Sequence, residues 1–307
     1  MTRITTKFGF SSTASDVTEG IDFTSKRVVI TGGASGIGIE TARAFANIGA
    51  EVTLAVRNVS AAAPVAADLR SSTSNPNIFV GRVDLSDRSS ISEFAAQWSG
   101  PLHVLVNNAG IMALPGLERT PEGWEMQFAT NHLGHFALAR ALHAALAEAR
   151  NARIVSLSSS GHLFAPVLFD DPHFNFVPYD PFVAYGQSKT ASTLFAVAAT
   201  ERWAKDGITS NAVMPGAIAT NLQRHTGGLR TPLERQKTPQ QGAATTLYVS
   251  TSPDLEGIGG RYFEDVNEAP VVDHRGPDYT GVAPYALDPA NAQRLWDLST
   301  ELLYTAR

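Results

Sequence analysis

The 307-residue chain contains no cysteine, which removes disulfides, thiol nucleophiles, thiolate-bound zinc and iron–sulfur clusters together. Its chemistry must rest on oxygen, nitrogen or a bound cofactor. A basic excess is also missing. Twenty-four Lys and Arg stand against 29 Asp and Glu, a formal charge of −5 with no basic cluster at either end, so no surface for tracking nucleic-acid phosphates is expected. No apolar run approaches the ~18 residues of a membrane span. The N-terminal MTRITTKFGFSSTASDV lacks the apolar stretch and cleavage pattern of a secretory signal. These absences predict a cytoplasmic protein with no membrane insertion and no nucleic-acid partner. What is present, 43% hydrophobic and 17% charged residues with 25 Gly and 17 Pro, describes a globular chain able to bury a large core.

Residues 1–20, rich in Thr and Ser, read as an N-terminal arm in which Ser15 or Asp16 would cap one helical turn. From Arg27 the pattern becomes strand (RVVIT), glycine-rich turn (GGASGIG) and helix, with Ile37, Thr41, Ala44, Phe45 and Ile48 recurring at helical spacing. Strands follow at 51–56, 77–83, 102–106, 152–158, 208–215 and 259–263. The helices between them are expected near 60–70, 87–98, 120–149, from Ala184 onward, and at 239–251. Apolar strands alternating with helices belong to a parallel sheet covered on both faces. The fold class expected is α/β: one doubly wound Rossmann-type parallel sheet, in a single domain over 21–307. Within it, 162–182 reads as a substrate-loop insertion, 221–240 as a substrate-side segment and 264–307 as a C-terminal extension with a last helix at 290–304.

Thr31 to Gly38 reads T-G-G-A-S-G-I-G between the first strand and first helix, where a dinucleotide pyrophosphate meets a helix N-terminus. Gly32 would turn the chain, Gly36 would admit the pyrophosphate and Gly38 would let helix pack on strand. An acidic residue at the end of the second strand would take the adenosine ribose, and an Arg there a 2′-phosphate. Val56 fills the acidic position, and Arg57 and Asn58 follow. The absent acid and present Arg predict NADP(H) in preference to NAD(H). Asp84, after the third strand, is placed to accept from the adenine amino group or to cap a helix.

Tyr185-Gly-Gln-Ser-Lys189 places a phenol and an ammonium on one helix face at i, i+4. A Tyr at a reference pKa of ~10 is drawn down by a fixed cation within ~4–6 Å, toward the range of a general acid/base for a carbonyl/alcohol pair. Asn131 lies on the apolar helix stripe Trp124, Phe128, His135, Leu138, Leu142, so its amide would be buried and need partners. His132 and His135 lack a third ligand of suitable spacing, and no metal is expected. His162 and His173 read as loop residues.

Taken in order, Thr31-to-Gly38, Asn107-Asn-Ala-Gly110, Asn131, Ser158-Ser-Ser160, Tyr185/Lys189 and Pro215-Gly216 resemble the short-chain dehydrogenase/reductase family over residues 26–263. GWEMQFATNHLGHF and AYGQSKTASTLFA look like the branch of retinol dehydrogenases, WW-domain oxidoreductases and protochlorophyllide reductases. The resemblance implies a hydride-transferring oxidoreductase acting on a small-molecule carbonyl/alcohol substrate. Tyr185 would be its acid/base, Lys189 its electrostatic support and Asn131 part of a water relay to them. It also implies an active serine among Ser158, Ser159 and Ser160, and the strand register selects Ser159. Cofactor contacts would come from the glycine loop with Ser35 and Ile37, from Asp84 and Leu85, from Asn108, Ala109 and Gly110, and from Tyr185 and Lys189. Pro215, Gly216, Ile218 and Thr220 would complete that set. Ser159 and Tyr185 are farther apart in sequence than is usual. The intervening Phe164, Phe169, Phe174, Phe176, Tyr179 and Phe182 suggest a loop lining an apolar substrate pocket, or a surface flap with its own small core. Family members pair through the helices expected near 120–149 and 184–206, which implies a homodimer or homotetramer. Two other functions share parts of this pattern: a nucleotide-sugar epimerase or dehydratase, and a non-enzymatic NADPH-binding regulator.

Overall fold

The computed structural model of the chain describes residues 2–305. Eight strands form one sheet: β1 (Arg27–Thr31), β2 (Glu51–Val56), β3 (Ile78–Arg82), β4 (Val104–Asn107), β5 (Ala152–Leu157), β6 (Ile208–Met214), β7 (Tyr262–Glu264) and β8 (Asn267–Glu268). Their spatial order is β3-β2-β1-β4-β5-β6-β7-β8, with every pairing parallel except the last. The order reverses between β1 and β4, and ligands of open α/β sheets bind at such a switch point, beyond the strand C-termini.

Helices cover both faces. Ile37–Asn47, Val59–Thr73 and Pro239–Thr251 bury Phe45, Leu69 and Leu247 against Ile30 and Leu54 on one side. Arg88–Ala96, Gly134–Ala141 and Pro181–Trp203 bury Phe94, Phe136 and Phe195 against Leu105 and Ile154 on the other. Strands buried on both faces leave no room for an alternating polar face, which is why the sequence shows continuous apolar runs.

Several elements depart from the sequence reading. The helix expected over 120–149 starts at Met126, passes through a π segment at Ala129–Leu133, and breaks at Leu142 before His143–Glu148. Thr120 precedes Pro121, and Gly123 is left-handed at φ +87°, so the first turn cannot be helical. The helix carrying Tyr185 starts at Pro181, earlier than expected, because Asp180 caps it by accepting from Phe182 N (2.8 Å) and Val183 N (2.8 Å). Thr13 is the N-cap of the short helix Ala14–Val17, and Asp16 completes a capping box by accepting from Thr13 N (2.8 Å), whereas Ser15 takes no part in it. The arm before it runs beside β8: Glu268 N donates to Ile4 O (2.9 Å) and Thr6 N to Asn267 Oδ1 (2.7 Å). It thereby covers a sheet edge.

The last helix, Pro289–Thr305, lies across Pro181–Trp203 and Gly134–Ala141. Trp296 meets Phe136 at 4.9 Å and Trp203 at 5.2 Å, centroid to centroid. His132 Nε2 and Ser299 Oγ share a hydrogen bond of 2.7 Å beneath it. The last helix thus covers part of the two helices at which the family resemblance places a partner.

Candidate active site

A cleft of about 1050 Å³ opens at the strand C-termini. On one wall the glycine loop enters helix Ile37–Asn47 with no side-chain cap at Gly36, which leaves the helix N-terminus facing the cleft. Gly36 is left-handed (φ +51°), and a Cβ there would stand 3.2 Å from Thr220 Cγ2 across the cleft. A Cβ on Gly38 would come within 2.5 Å of Gly32 O, so only glycine lets the helix approach its own loop. Thr31 ties this loop to the next strand end. Its hydroxyl accepts from Asn108 N (2.9 Å) and Ala109 N (3.0 Å), while Asn108 Nδ2 donates to Thr31 O (2.7 Å).

Leu157 ends β5, and the serines after it point different ways. Ser158 Oγ is buried, donating to Lys189 O (2.9 Å) and accepting from Thr193 Oγ1 (2.9 Å). Ser159 faces the cleft beside Tyr185, and its Oγ caps a short turn by accepting from Gly161 N (3.0 Å). Tyr185 and Lys189 stand on one face of their helix, and Lys189 Nζ donates to Leu157 O (2.8 Å) and lies 5.6 Å from the Tyr185 ring centre.

Burial governs the electrostatics of this pair. It pushes the Tyr185 phenol up to about 12, only partly countered by the neighbouring Ser159 hydroxyl, and pulls the Lys189 ammonium down to about 8. The lowered phenol expected from the i, i+4 spacing is not what the chain alone provides. Nζ is turned to a main-chain carbonyl, and desolvation outweighs its charge.

The π segment positions Asn131. Its Oδ1 accepts from Ile111 N (2.9 Å), and Nδ2 donates to Ile111 O (2.9 Å) and Ser188 Oγ (2.9 Å). The amide thus pins the Asn107–Gly110 loop to the Tyr185 helix. Gly110 separates it from the lysine: a Cβ there would meet Asn131 Oδ1 at 3.3 Å and Lys189 Nζ at 3.6 Å. The Asn131 carbonyl accepts from His135 Nδ1 (2.9 Å), so His135 and His132 are both spent on structural bonds.

Of the residues singled out in the sequence, Gly32, Ser35, Gly36, Ile37, Asn108, Ala109 and Gly110 line the cleft, as do Ser159, Tyr185, Lys189, Pro215, Gly216, Ile218 and Thr220. Arg57, Asn58, Asp84 and Leu85 sit apart from it, just after β2 and β3. Arg57 is exposed, whereas Asn58 Oδ1 is taken up capping Val59–Thr73 through Ala61 N (3.0 Å). Asp84 caps no helix. It accepts from Ser86 N (3.0 Å), and Asp87 is the cap of Arg88–Ala96. Leu85 is buried, its carbonyl pressed against Gly134.

Most of the aromatic insertion does not line the cleft. Phe174 stacks edge-on to Tyr179 at 5.3 Å, Tyr179 donates to Leu114 O (3.0 Å), and Phe169 lies under Arg294 of the last helix. Phe176 is 90% exposed. Asp171 organises this small core by accepting from Asn175 N, Phe176 N and Val177 N. Only its two ends, Phe164 and Phe182, reach the cleft. Sequence reasoning missed the segment Pro277–Thr280, which forms part of the rim. It also missed Lys237, whose Nζ meets Asp265 Oδ1 at 2.5 Å and sits 5.1 Å over the Phe10 ring.

Residues 26–228 match the family model described as short chain dehydrogenase. The chain belongs to the short-chain dehydrogenase/reductase family. It is 52% identical over 299 residues to a protein named "Probable oxidoreductase" from Streptomyces antibioticus, covering 93% of this chain and 100% of the relative. Retinol dehydrogenase 12 of Mus musculus is 37% identical over 293 residues, with 93% and 89% covered. A crystal structure of a Mycobacterium paratuberculosis protein superposes with a TM-score of 0.75 at 33% identity, covering 96% of this chain and 98% of that one. This short-chain dehydrogenase therefore sits in the branch its sequence suggested. Among the described residues no helix is long and apolar enough to cross a membrane.

Proposed function

We propose that the protein is an NADP(H)-dependent oxidoreductase interconverting an apolar carbonyl compound and its alcohol, with Tyr185, Ser159, Lys189 and Asn131 as its working set. The cleft fits the cofactor on this chain's own geometry, since a glycine loop that a Cβ would fill meets an uncapped helix N-terminus opposite Thr220. Bound there, the nicotinamide supplies or accepts the hydride.

The observation that carries the reading is the buried Tyr185 phenol beside Ser159 at the edge of the cleft, with Lys189 Nζ 5.6 Å from its ring centre. With its pKa raised, the phenol keeps its proton at neutral pH, which is the form that can donate to a carbonyl oxygen. Ser159 would hold that oxygen as charge develops on it. Lys189 remains mostly protonated below about 8 and would bind the cofactor ribose. Asn131, across Gly110 from Nζ, would hold a water that returns the proton to Lys189. The preference for NADP(H) rests on exposed Arg57 and on Val56, which offers no acceptor to a ribose hydroxyl.

The test is NADPH oxidation over a panel of retinoids, steroids, aliphatic aldehydes and quinones. Tyr185→Phe should lower turnover by about 10²-fold or more. Ser159→Ala should lower kcat by roughly 10²–10³ and exceed the effect of Ser158→Ala. Near-normal turnover by Tyr185→Phe would remove the mechanism, and NADPH binding without turnover of any panel member would favour a regulator.

A further inference from the structure

A second, shallower cavity of about 390 Å³ adjoins the cleft and is lined by Phe164, Phe182, Val183 and Arg275. Phe164 and Phe182 line both spaces, which therefore adjoin. The trough lies close to the reacting group. Phe182 stands one turn before Tyr185, and Phe164 Cβ is 3.1 Å from where a Cβ on Gly186 would be.

The floor is aromatic and the rim is cationic. Phe164 meets Phe182 at 6.2 Å and Tyr279 at 5.8 Å, both edge-on. The Arg275 guanidinium lies 5.4 Å from the Phe164 centroid and 5.8 Å from that of Tyr279. Among the described residues it has no carboxylate partner. The acids of its own segment are engaged elsewhere, Asp273 with His274 and Asp278 with the Thr280 hydroxyl. In a chain carrying a formal charge of −5, a guanidinium without a carboxylate partner, set near two rings beside the cleft, attracts an anion. Its distances to the rings are those of cation–π contacts, and its N–H fork can grip a carboxylate. The cofactor phosphates do not account for it, because the glycine loop and Thr220 border the main cleft and not this trough.

Resting on the carbonyl reductase reading above, we propose that the trough is a subsite for the far end of the substrate and that this end is anionic. The preferred substrates are apolar aldehydes or ketones carrying a carboxylate remote from the carbonyl. The apolar body lies on Phe164 and Phe182, and Arg275 receives the carboxylate.

The test compares ω-oxoalkanoates of graded length and 4-formylbenzoate with their methyl esters, using NADPH. At the best-fitting length kcat/KM should favour the carboxylate over its ester by about 10-fold at low ionic strength, and the ratio should shrink as salt is raised. Arg275→Gln should bring the ratio to about one. Turnover of both forms with equal kcat/KM, or a preference that survives Arg275→Gln, overturns the subsite while leaving the carbonyl reductase reading standing. If no aldehyde turns over, that reading fails instead, and calorimetric titration of the same acids in the presence of NADP(H) decides the subsite. Binding weakened by Arg275→Gln supports it, whereas no binding, or binding unaffected by the substitution, overturns it.

Discussion

The buried imidazole of His162 donates from Nδ1 to the Ser159 carbonyl at 2.7 Å and accepts at Nε2 from Ala283 N at 3.1 Å. The two bonds fix one neutral tautomer, and burial supports it by pulling the imidazole pKa down to about 4. Tyr285 Oη adds a bond of 2.7 Å to the His162 carbonyl. The loop bearing the candidate active serine is thus tied to the C-terminal extension by a residue that the sequence presents as ordinary loop.

Ala283→Pro breaks that tie. Ala283 has φ −70° and ψ 139°, which proline adopts, so the change deletes the N–H that His162 accepts and sets the ring Cδ against Nε2, forcing the imidazole aside. Turnover should fall about 3- to 10-fold with the KM for NADPH unchanged, the loss expected of one neutral hydrogen bond. In a Ser159→Ala background the same change should add almost nothing, because its effect runs through Ser159. Equal losses in the two backgrounds would mean that the tie is structural only.

His162 also shows what the sequence could and could not disclose. The sheet was legible because strands buried on both faces are apolar runs, and β1 and β2 fall on RVVIT and EVTLAV without adjustment. The glycine loop and the Tyr185/Lys189 pair were legible because their spacing is local. Long-range partners leave no such trace: nothing near His162 announces Ala283, and nothing near Asn131 announces Ile111 or Ser188. The π segment is invisible for the same reason, as Ala129–Leu133 carry ordinary helical periodicity and the extra residue per turn is set by bonds made elsewhere. The aromatic insertion misled differently. Composition cannot tell a ring facing a cleft from one stacked on Tyr179, and of the six aromatics only Phe164 and Phe182 reach the cleft. The Asp180-Pro181 pair is itself a local start signal, an acid that caps followed by a proline at the first helical position.

Acid should weaken the fold early. Burial holds His132 down to about 3 and His135, His162 and His173 down to about 4, against a usual 6.5. Between about 6.5 and 4 the unfolded chain takes up four protons that the folded chain refuses, so stability falls as pH falls. Two carboxyls oppose this: burial raises Glu125 to about 7, so the folded chain is the better proton acceptor there down to about 4.5, and burial raises Glu264 as well. Four protons against two leaves a net loss toward acid. The urea midpoint should therefore drop steadily below pH 6.5, and His132→Asn should flatten the slope. A midpoint that is level to pH 4.5 would contradict the buried neutral histidines.

The covered helix face predicts the assembly state. Trp296 fills the groove among Phe136, Phe195 and Trp203, and Arg202 lies 4.7 Å over its ring. Light scattering should find no dimer built through the helices Gly134–Ala141 and Pro181–Trp203. Trp296→Ala should cost about 3–5 kcal/mol in unfolding free energy, the range for removing a large packed aromatic. A dimer whose cross-links map to those two helices would show that the last helix can be displaced.

The proposed cofactor preference turns on Val56, which ends the second strand, and on Arg57 and Asn58, which follow it. Val56 is buried and has no acceptor, Asn58 is committed to its helix cap, and Arg57 is exposed with no ion-pair partner among the described residues. Glu51, the acid of the same strand, is at its other end and bound to Arg27 at 2.7 Å. A guanidinium gripping a 2′-phosphate through charge-assisted bonds worth roughly 1.5–3 kcal/mol should favour NADPH over NADH by about 10- to 100-fold in kcat/KM. Because Arg57 is exposed, raising the ionic strength should erode that ratio. Arg57→Ala should damage the use of NADPH far more than that of NADH. Val56→Asp should invert the preference, by giving the ribose an acceptor and setting a charge against the phosphate. Kinetics with both cofactors decide the matter: an unaltered enzyme that prefers NADH, or a ratio unmoved by Arg57→Ala, would place the discrimination elsewhere, with Ser35 on the glycine loop the next residue to change.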